Sequence, residues 1–184
     1  GCYEGTLAAR LAEATGRPVV GVDLTDAGFA RAFEQAHRLG VEDLVGCVRQ
    51  DAHHLSVLGS GRFDVATFTY SLHCMADPER VVAEVVRVLA PGGLLLVVDW
   101  VVGPGEPRHG CYRLSAMEVE DMMRRTGLTV LNTVARSGVA LVAAEKPLLD
   151  AVPRRAALGG QAAQGLPGLP GGVLEPASHV RARR

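Results

Sequence analysis

Three aspartates and one histidine stand where the residue types and their spacing permit chemistry: Asp23, Asp51, Asp99 and His73. Each acid follows a short apolar run: Pro18 to Val22 before Asp23, Leu44 to Val48 before Asp51, and Leu94 to Val98 before Asp99. Such runs predict parallel strands buried on both faces, and the C-terminal ends of parallel strands share one sheet edge, where ligands bind. A carboxylate there accepts hydrogen bonds from ligand hydroxyls or amines. Asp23 lies eighteen positions after Gly5, near the spacing at which an acid meets the ribose hydroxyls of an adenosine-containing ligand. Standing alone, Asp99 reads better as a helix cap or a turn residue. His73 follows the run Phe63 to Tyr70 and is the general-base candidate near that edge, since an imidazole takes a proton from oxygen or nitrogen.

The elements that must position these residues begin with Gly1-Cys2-Tyr3-Glu4-Gly5-Thr6, a glycine turn opening a helix that stops at Gly16. Leu7 and Leu11, four apart, give that helix an apolar face. A helix N-terminus offers free N–H groups and partial positive charge to a carboxylate or phosphate. Thr25 reads as the cap of a helix of about fifteen residues carrying Phe29, Phe33, Ala36 and His37 and closing at Gly40. Asp77-Pro78 starts another helix, with Val81, Val82, Val85, Val86 and Leu89 at helical spacing and Pro91-Gly92-Gly93 as its stop. A Gly/Pro loop spans 103–110, and Trp100, His109 and Tyr112 lie on the segment expected to cover a ligand mouth. Ser115 and Glu118 form a capping box. Thr129 to Val134 and Val139 to Ala144 flank Ser137-Gly138 as a β-hairpin.

Strands alternating with helices predict an α/β fold, a doubly wound Rossmann-like sheet with a C-terminal antiparallel hairpin. The domain is expected to span 1–147. Residues 148–184, rich in Gly, Pro, Ala and Arg, read as a disordered tail whose composition cannot bury enough surface to order it.

Composition excludes several classes. A formal net charge of −1 over 184 residues leaves no basic excess for general nucleic-acid binding. The four cysteines, Cys2, Cys47, Cys74 and Cys111, lack CxxC spacing, so neither a zinc site nor a disulfide framework is expected, and a reducing cytoplasm fits. Cys74 reads as an inert core thiol and His53-His54 as a surface pair. No apolar run approaches the length of a membrane span.

Six stretches then occur in order: Gly1 to Ala8, Gly21-Val22-Asp23-Leu24-Thr25, Gln50-Asp51-Ala52, Phe63-Asp64-Val65 followed by Ser71-Leu72-His73, Asp77-Pro78-Glu79, and Arg87 to Gly93. This series resembles the motifs of class I S-adenosylmethionine-dependent methyltransferases, nearest the small UbiE-like or type 11 group, from Gly1 to about Pro147. The resemblance implies S-adenosylmethionine as cofactor and a small-molecule methyl acceptor as partner. It places Gly1 and Gly5 beside the methionine portion, Asp23 on the ribose hydroxyls, Leu24 against the adenine, Asp51 and the Ala52 N–H on the adenine edge, and Thr69 near the sulfonium. No metal is implied. Tyr3 stands where the family usually carries a third glycine. Thr69-Tyr70-Ser71-Leu72 replaces the Asn/Asp-Pro-Pro-Tyr signature of enzymes that methylate amino groups of nucleic acids. The family's first strand, central in the sheet between those ending at Asp23 and Tyr70, and the helix before it would precede Gly1. The expectation is therefore a fragment lacking them, unstable or inactive as written. A catalytically inactive module that binds cofactor or protein, and a nicotinamide dehydrogenase, are the rival readings.

Overall fold

The computed structural model describes residues 1–102, 114–148 and 173–174. The chain divides into two compact units, one built on Gly1–Ala52 and the other, among the described residues, on 53–102 and 114–148.

In the first unit the opening turn runs into helix α1 (Thr6–Thr15). Tyr3 (φ 44°) and Gly5 (φ 62°) both adopt left-handed backbone, and the Gly5 N–H closes the turn on the Cys2 carbonyl at 2.9 Å. Gly16, also left-handed, ends α1 by donating to the Ala12 carbonyl. The buried face of α1 is Ala8, Ala9 and Ala12, whereas Leu7 is 41% exposed. The expected Leu7/Leu11 face is thus displaced by alanines, whose small side chains pack with Ala36 and Val45 in one cluster. Strand β1 (Val19–Asp23) pairs in parallel with β2 (Val45–Arg49) in the register Val19↔Val45 through Asp23↔Arg49.

Helix α2 runs only from Phe29 to Arg38. It starts later than the expected Thr25 cap because the Thr25 N–H donates back to Asp23 Oδ1 at 3.2 Å and the chain turns through 26–28 first. Gly21 is needed between the strands. A Cβ there would stand 2.9 Å from the Cys2 sulfur and 3.7 Å from that of Cys47, so the fold brings together two cysteines that are far apart in sequence. Both thiols are free. Their mutual hydrogen bond holds Cys2 below its ordinary value, and together with burial raises Cys47. The short strand β7 (Val173–Leu174) lies antiparallel on β2.

In the second unit the sheet order is β3-β4-β6-β5, with β3 (Phe63–Thr69) parallel to β4 (Leu89–Trp100) and β6 (Val139–Glu145) antiparallel to both β4 and β5 (Thr129–Arg136). The β5–β6 turn uses Ser137 (φ 53°) and Gly138 (φ 76°), two successive left-handed residues, as a two-residue hairpin requires. Helix α3 (Pro78–Val88) is capped by Asp77, whose side chain accepts the Arg80 N–H at 3.1 Å, and it buries Val81, Val82, Val85 and Val88. Leu89, expected to continue the helix, is extended instead and opens β4, with Lys146 Nζ donating to the carbonyls of Val86 and Leu89 at 2.7 Å each. Helix α4 (Ala116–Arg125) carries both halves of the Ser115/Glu118 capping box.

Strands β1 and β3 each end their sheet. Their apolar residues are accordingly less covered than strands buried on both faces would be: Val19, Val20 and Val22 are half-buried and Val65 is 51% exposed. The loop at 103–110 with His109, Tyr112 after it, and the expected tail apart from Leu148 and β7 lie outside the described residues.

Candidate functional site

The first unit contains six of the expected cofactor residues, Gly1 and Gly5 in the opening turn and Asp23, Leu24, Asp51 and Ala52 at or beyond strand ends. Asp23 closes β1, and its carboxylate binds the opening turn: Oδ2 accepts the Tyr3 N–H at 2.9 Å and lies 3.9 Å from the Gly1 nitrogen. Gly1 also donates to the Val22 carbonyl at 2.9 Å. Burial pushes the Asp23 carboxyl up, but the N–H groups of Tyr3 and Thr25 outweigh it and hold the group below its ordinary value. The Leu24 N–H bonds the same carboxylate, so three of a carboxylate's roughly four acceptor sites are taken and one stays open to a ligand hydroxyl.

Leu24 is 68% exposed beside Asp23, an apolar surface open to a flat ring. The Gln50 N–H donates to the Asp23 carbonyl at 2.7 Å, extending the ladder so that Asp51 and Ala52 follow β2 next to the end of β1. Gly5 and Gly28 make the turn possible, since a Cβ on Gly5 would meet the Ala32 Cβ at 2.3 Å and one on Gly28 the Tyr3 carbonyl oxygen at 2.2 Å. This unit therefore has carboxylates, an exposed apolar residue and a tightly packed glycine turn.

The second unit holds Thr69 and His73. Thr69 ends β3, its hydroxyl 3.3 Å from that of Thr67. Tyr70 follows in left-handed backbone (φ 52°), and its N–H still donates to the Val98 carbonyl at 2.8 Å. One 3-10 turn, Leu72–Cys74, then presents His73. Its partner is Asp99. The imidazole Nδ1 lies 2.6 Å from Asp99 Oδ1, and the His73 N–H donates to Oδ2 at 3.0 Å. The Trp100 N–H adds a third bond, to Oδ1 at 2.8 Å. A carboxylate only accepts, so Nδ1 is the donor in this contact and Nε2 is the nitrogen left for other partners.

Asp99 is 3% exposed and so is not a solvated turn; it accepts a main-chain N–H of the 3-10 turn, as a cap does, and holds the His73 ring as well. Sequence reasoning missed its pairing with His73. The available signal was its phase: Leu95 and Val97 are buried on β4 and Asp99 is the next inward position at period two. An acid in that phase has to find a donor. Cys74, expected in the core, is exposed. The surface pair His53-His54 is tied down locally: His53 Nε2 accepts the Asp77 N–H at 3.2 Å and His54 pairs with Arg80. Among the described residues no group of three or more His, Cys, Asp or Glu is placed to hold a metal, and no helix is long and apolar enough to cross a membrane.

Residues 1–97 match the family described as "Methyltransferase domain". The chain belongs to that methyltransferase family. The matched region includes the opening turn, Asp23, Asp51 and His73 and stops just before Asp99. S-adenosylmethionine is the cofactor that membership implies. Among curated proteins, this methyltransferase domain is 35% identical over 104 residues to 27-O-demethylrifamycin SV methyltransferase of Amycolatopsis mediterranei, a match that covers 56% of the chain. The chain spans only 38% of that relative's length. Among solved structures it is similar to the (4+2)-cyclase SpnF, with TM-score 0.75, 23% identity, 80% of this chain and 74% of the other covered. It is also similar to a geranyl diphosphate methyltransferase in complex with SAM, with TM-score 0.70, 20% identity and 79% and 75% of the two chains covered. These likenesses establish the fold as that of Rossmann-like methyltransferases.

Proposed function

We propose that the protein is an S-adenosylmethionine-dependent methyltransferase that acts on a small organic acceptor in the cytoplasm by in-line displacement. The observation that carries this reading is the bound His73–Asp99 pair in a chain whose first 97 residues match the methyltransferase family. The relative that acts on a rifamycin and the neighbour that acts on geranyl diphosphate support a small-molecule acceptor.

In this reading Asp23 accepts the ribose hydroxyls, Leu24 packs on the adenine, Asp51 and the Ala52 N–H take the adenine edge, and Gly1 and Gly5 lie along the methionine portion. Thr69 stands near the sulfonium. The cofactor supplies an electrophilic methyl on a positively charged sulfur, itself a good leaving group. What the protein must add is orientation of the acceptor, which lowers a barrier by roughly 7–11 kcal/mol when it is complete, and a place for the acceptor's proton. Nε2 of His73 receives that proton, while Asp99 holds the ring in the tautomer that leaves Nε2 open and steadies the charge the ring then carries.

Calorimetric titration with S-adenosylmethionine tests the cofactor assignment, and Asp23→Ala is expected to weaken binding at least tenfold. Unchanged affinity in that variant removes Asp23 from the site. Tyr3, standing where the family usually carries a third glycine, gives weight to a second reading, a module that binds cofactor or protein without transferring a methyl. Incubation with methyl-labelled cofactor and a metabolite extract separates the two, because label in any product rules out the inactive module.

A further inference from the structure

One face of α2 meets residues 3–6 of the opening turn, and it meets them in order. Gly28, at the N-terminal end of the helix, lies against the Tyr3 carbonyl, and the Arg31 guanidinium bonds the Glu4 carboxylate. Ala32 lies against Gly5, and Gln35 Nε2 donates to the Thr6 hydroxyl at 2.7 Å and to the Glu4 carbonyl at 3.4 Å. Positions 28, 31, 32 and 35 are spaced i, i+3, i+4 and i+7, so a single helical stripe is given over to the turn.

The turn needs such a hold. Tyr3 stands in left-handed backbone at φ 44°, a conformation that a bulky residue resists and keeps only where its surroundings over-determine it. Burial of its own ring does not compensate, since Tyr3 is 64% exposed. Its N–H is fixed to Asp23 on one side, and the residues that follow it are fixed to α2 on the other. An exposed ion pair by itself contributes little. Arg31–Glu4, however, shares its helix face with both Gln35 bonds and with the close packing at Gly5 and Gly28, and the Glu4 side chain is mostly covered. Glu4 first and then Tyr3 raise the Arg31 guanidinium above its ordinary value, so Arg31 stands within electrostatic reach of both.

We propose that Arg31 and Gln35 are positioning residues, which hold the opening turn in its cofactor-binding shape against the backbone preference of Tyr3. This rests on the methyltransferase reading above and deepens it. A glycine at position 3 would take the same φ freely; with a tyrosine there, the shape depends on α2. Arg31 and Gln35 act through Glu4 and Thr6, the two residues that follow Tyr3 and flank Gly5.

The test crosses the two effects on the full chain. Arg31→Ala and Gln35→Ala are combined in the parent and in a Tyr3→Gly background, and S-adenosylmethionine affinity is measured by calorimetry well below the unfolding midpoint. Exchange of the residue-3 and Gly5 amide hydrogens, bonded to Asp23 and to the Cys2 carbonyl, is followed by NMR without cofactor. In the parent background the combined substitutions should weaken affinity and speed both exchange rates, each at least fivefold. In the Tyr3→Gly background the loss of affinity should fall below twofold. Arg31→Lys, which keeps the charge beside Glu4, should stay within twofold of the parent. A face of α2 that served stability alone would lower the unfolding midpoint equally in both backgrounds and leave affinity as it was. Unchanged affinity, unchanged exchange, or an equal loss of affinity in the two backgrounds overturns the proposal. A parent chain that binds no S-adenosylmethionine strikes the cofactor reading and the proposal with it, whereas a parent that binds with all variants alike strikes the proposal alone.

Discussion

Asp99 Oδ1 stands 2.6 Å from Nδ1 of His73 and accepts the Trp100 N–H as well, so one buried oxygen fixes a ring and the strand end beside it. The same carboxylate also holds the His73 main chain through Oδ2. Asp99→Asn keeps the volume but presents an NH₂ group to a site that contains only donors. It should therefore turn the ring or its tautomer and lower kcat by about 100-fold or more, with S-adenosylmethionine affinity unchanged. Steady-state kinetics with a methylated product as readout checks this, and a change confined to KM would remove Asp99 from the proton path.

The Asp23 carboxyl lies below its ordinary value in the fold. A group whose pKa falls on folding stabilises the native state above its unfolded pKa, and that contribution is lost as pH drops through the folded value. Asp23→Asn should accordingly differ most from the parent in unfolding midpoint near neutrality. The gap should narrow below about pH 4, the unfolded aspartate range. A constant gap from pH 7 to pH 3 would contradict the assignment.

Two glycines separate space from backbone angle. Gly28 has ordinary backbone (φ −96°), but an added Cβ would meet the Tyr3 carbonyl oxygen at 2.2 Å, whereas Gly16 has nothing within 4 Å and a left-handed φ of 63°. Gly28→Ala must displace the opening turn, with a loss of about 1–3 kcal/mol and weakened cofactor binding. Gly16→Ala should cost about 1 kcal/mol from its backbone alone and leave binding intact. Urea unfolding and calorimetry on both variants check the contrast.

Lys146 closes the junction between α3 and β4 with two 2.7 Å bonds to carbonyls. Lys146→Met keeps the chain length and drops both donors, so a loss of about 1–3 kcal/mol is expected. Methyl transfer at a temperature well below the unfolding midpoint should be unaffected, because Lys146 touches neither the Asp23 nor the His73 cluster.

Much of the local architecture was legible in the sequence because it follows from short-range chemistry. Asp77-Pro78, the Ser115/Glu118 box and the Ser137-Gly138 turn are each specified within four residues, and each is found where its pattern placed it. The alanine face of α1 was not legible, since Leu7 and Leu11 have the larger apolar surface and only the partner helix shows that small residues fit. The start of α2 was obscured because Asp23, distant from the helix, takes the Thr25 N–H. The His73–Asp99 pair required knowledge that β3 and β4 are neighbours, a pairing that brings Thr69 level with Val98 and so places the next residues of both strands together. Sequence alone contains the alternation on β4 but not the strand that lies beside it.

Among the described residues β1 and β3 have one strand neighbour each, and β3 carries Val65 half in water. An apolar strand with an open row of amides and carbonyls can pair with a like edge on another molecule. Heating a concentrated sample made of these 184 residues alone should therefore end in association before equilibrium unfolding is reached, giving a melting temperature that rises with scan rate and falls with concentration. The usable temperature range of such a sample would then be set by a rate of self-association and not by the free energy of its fold.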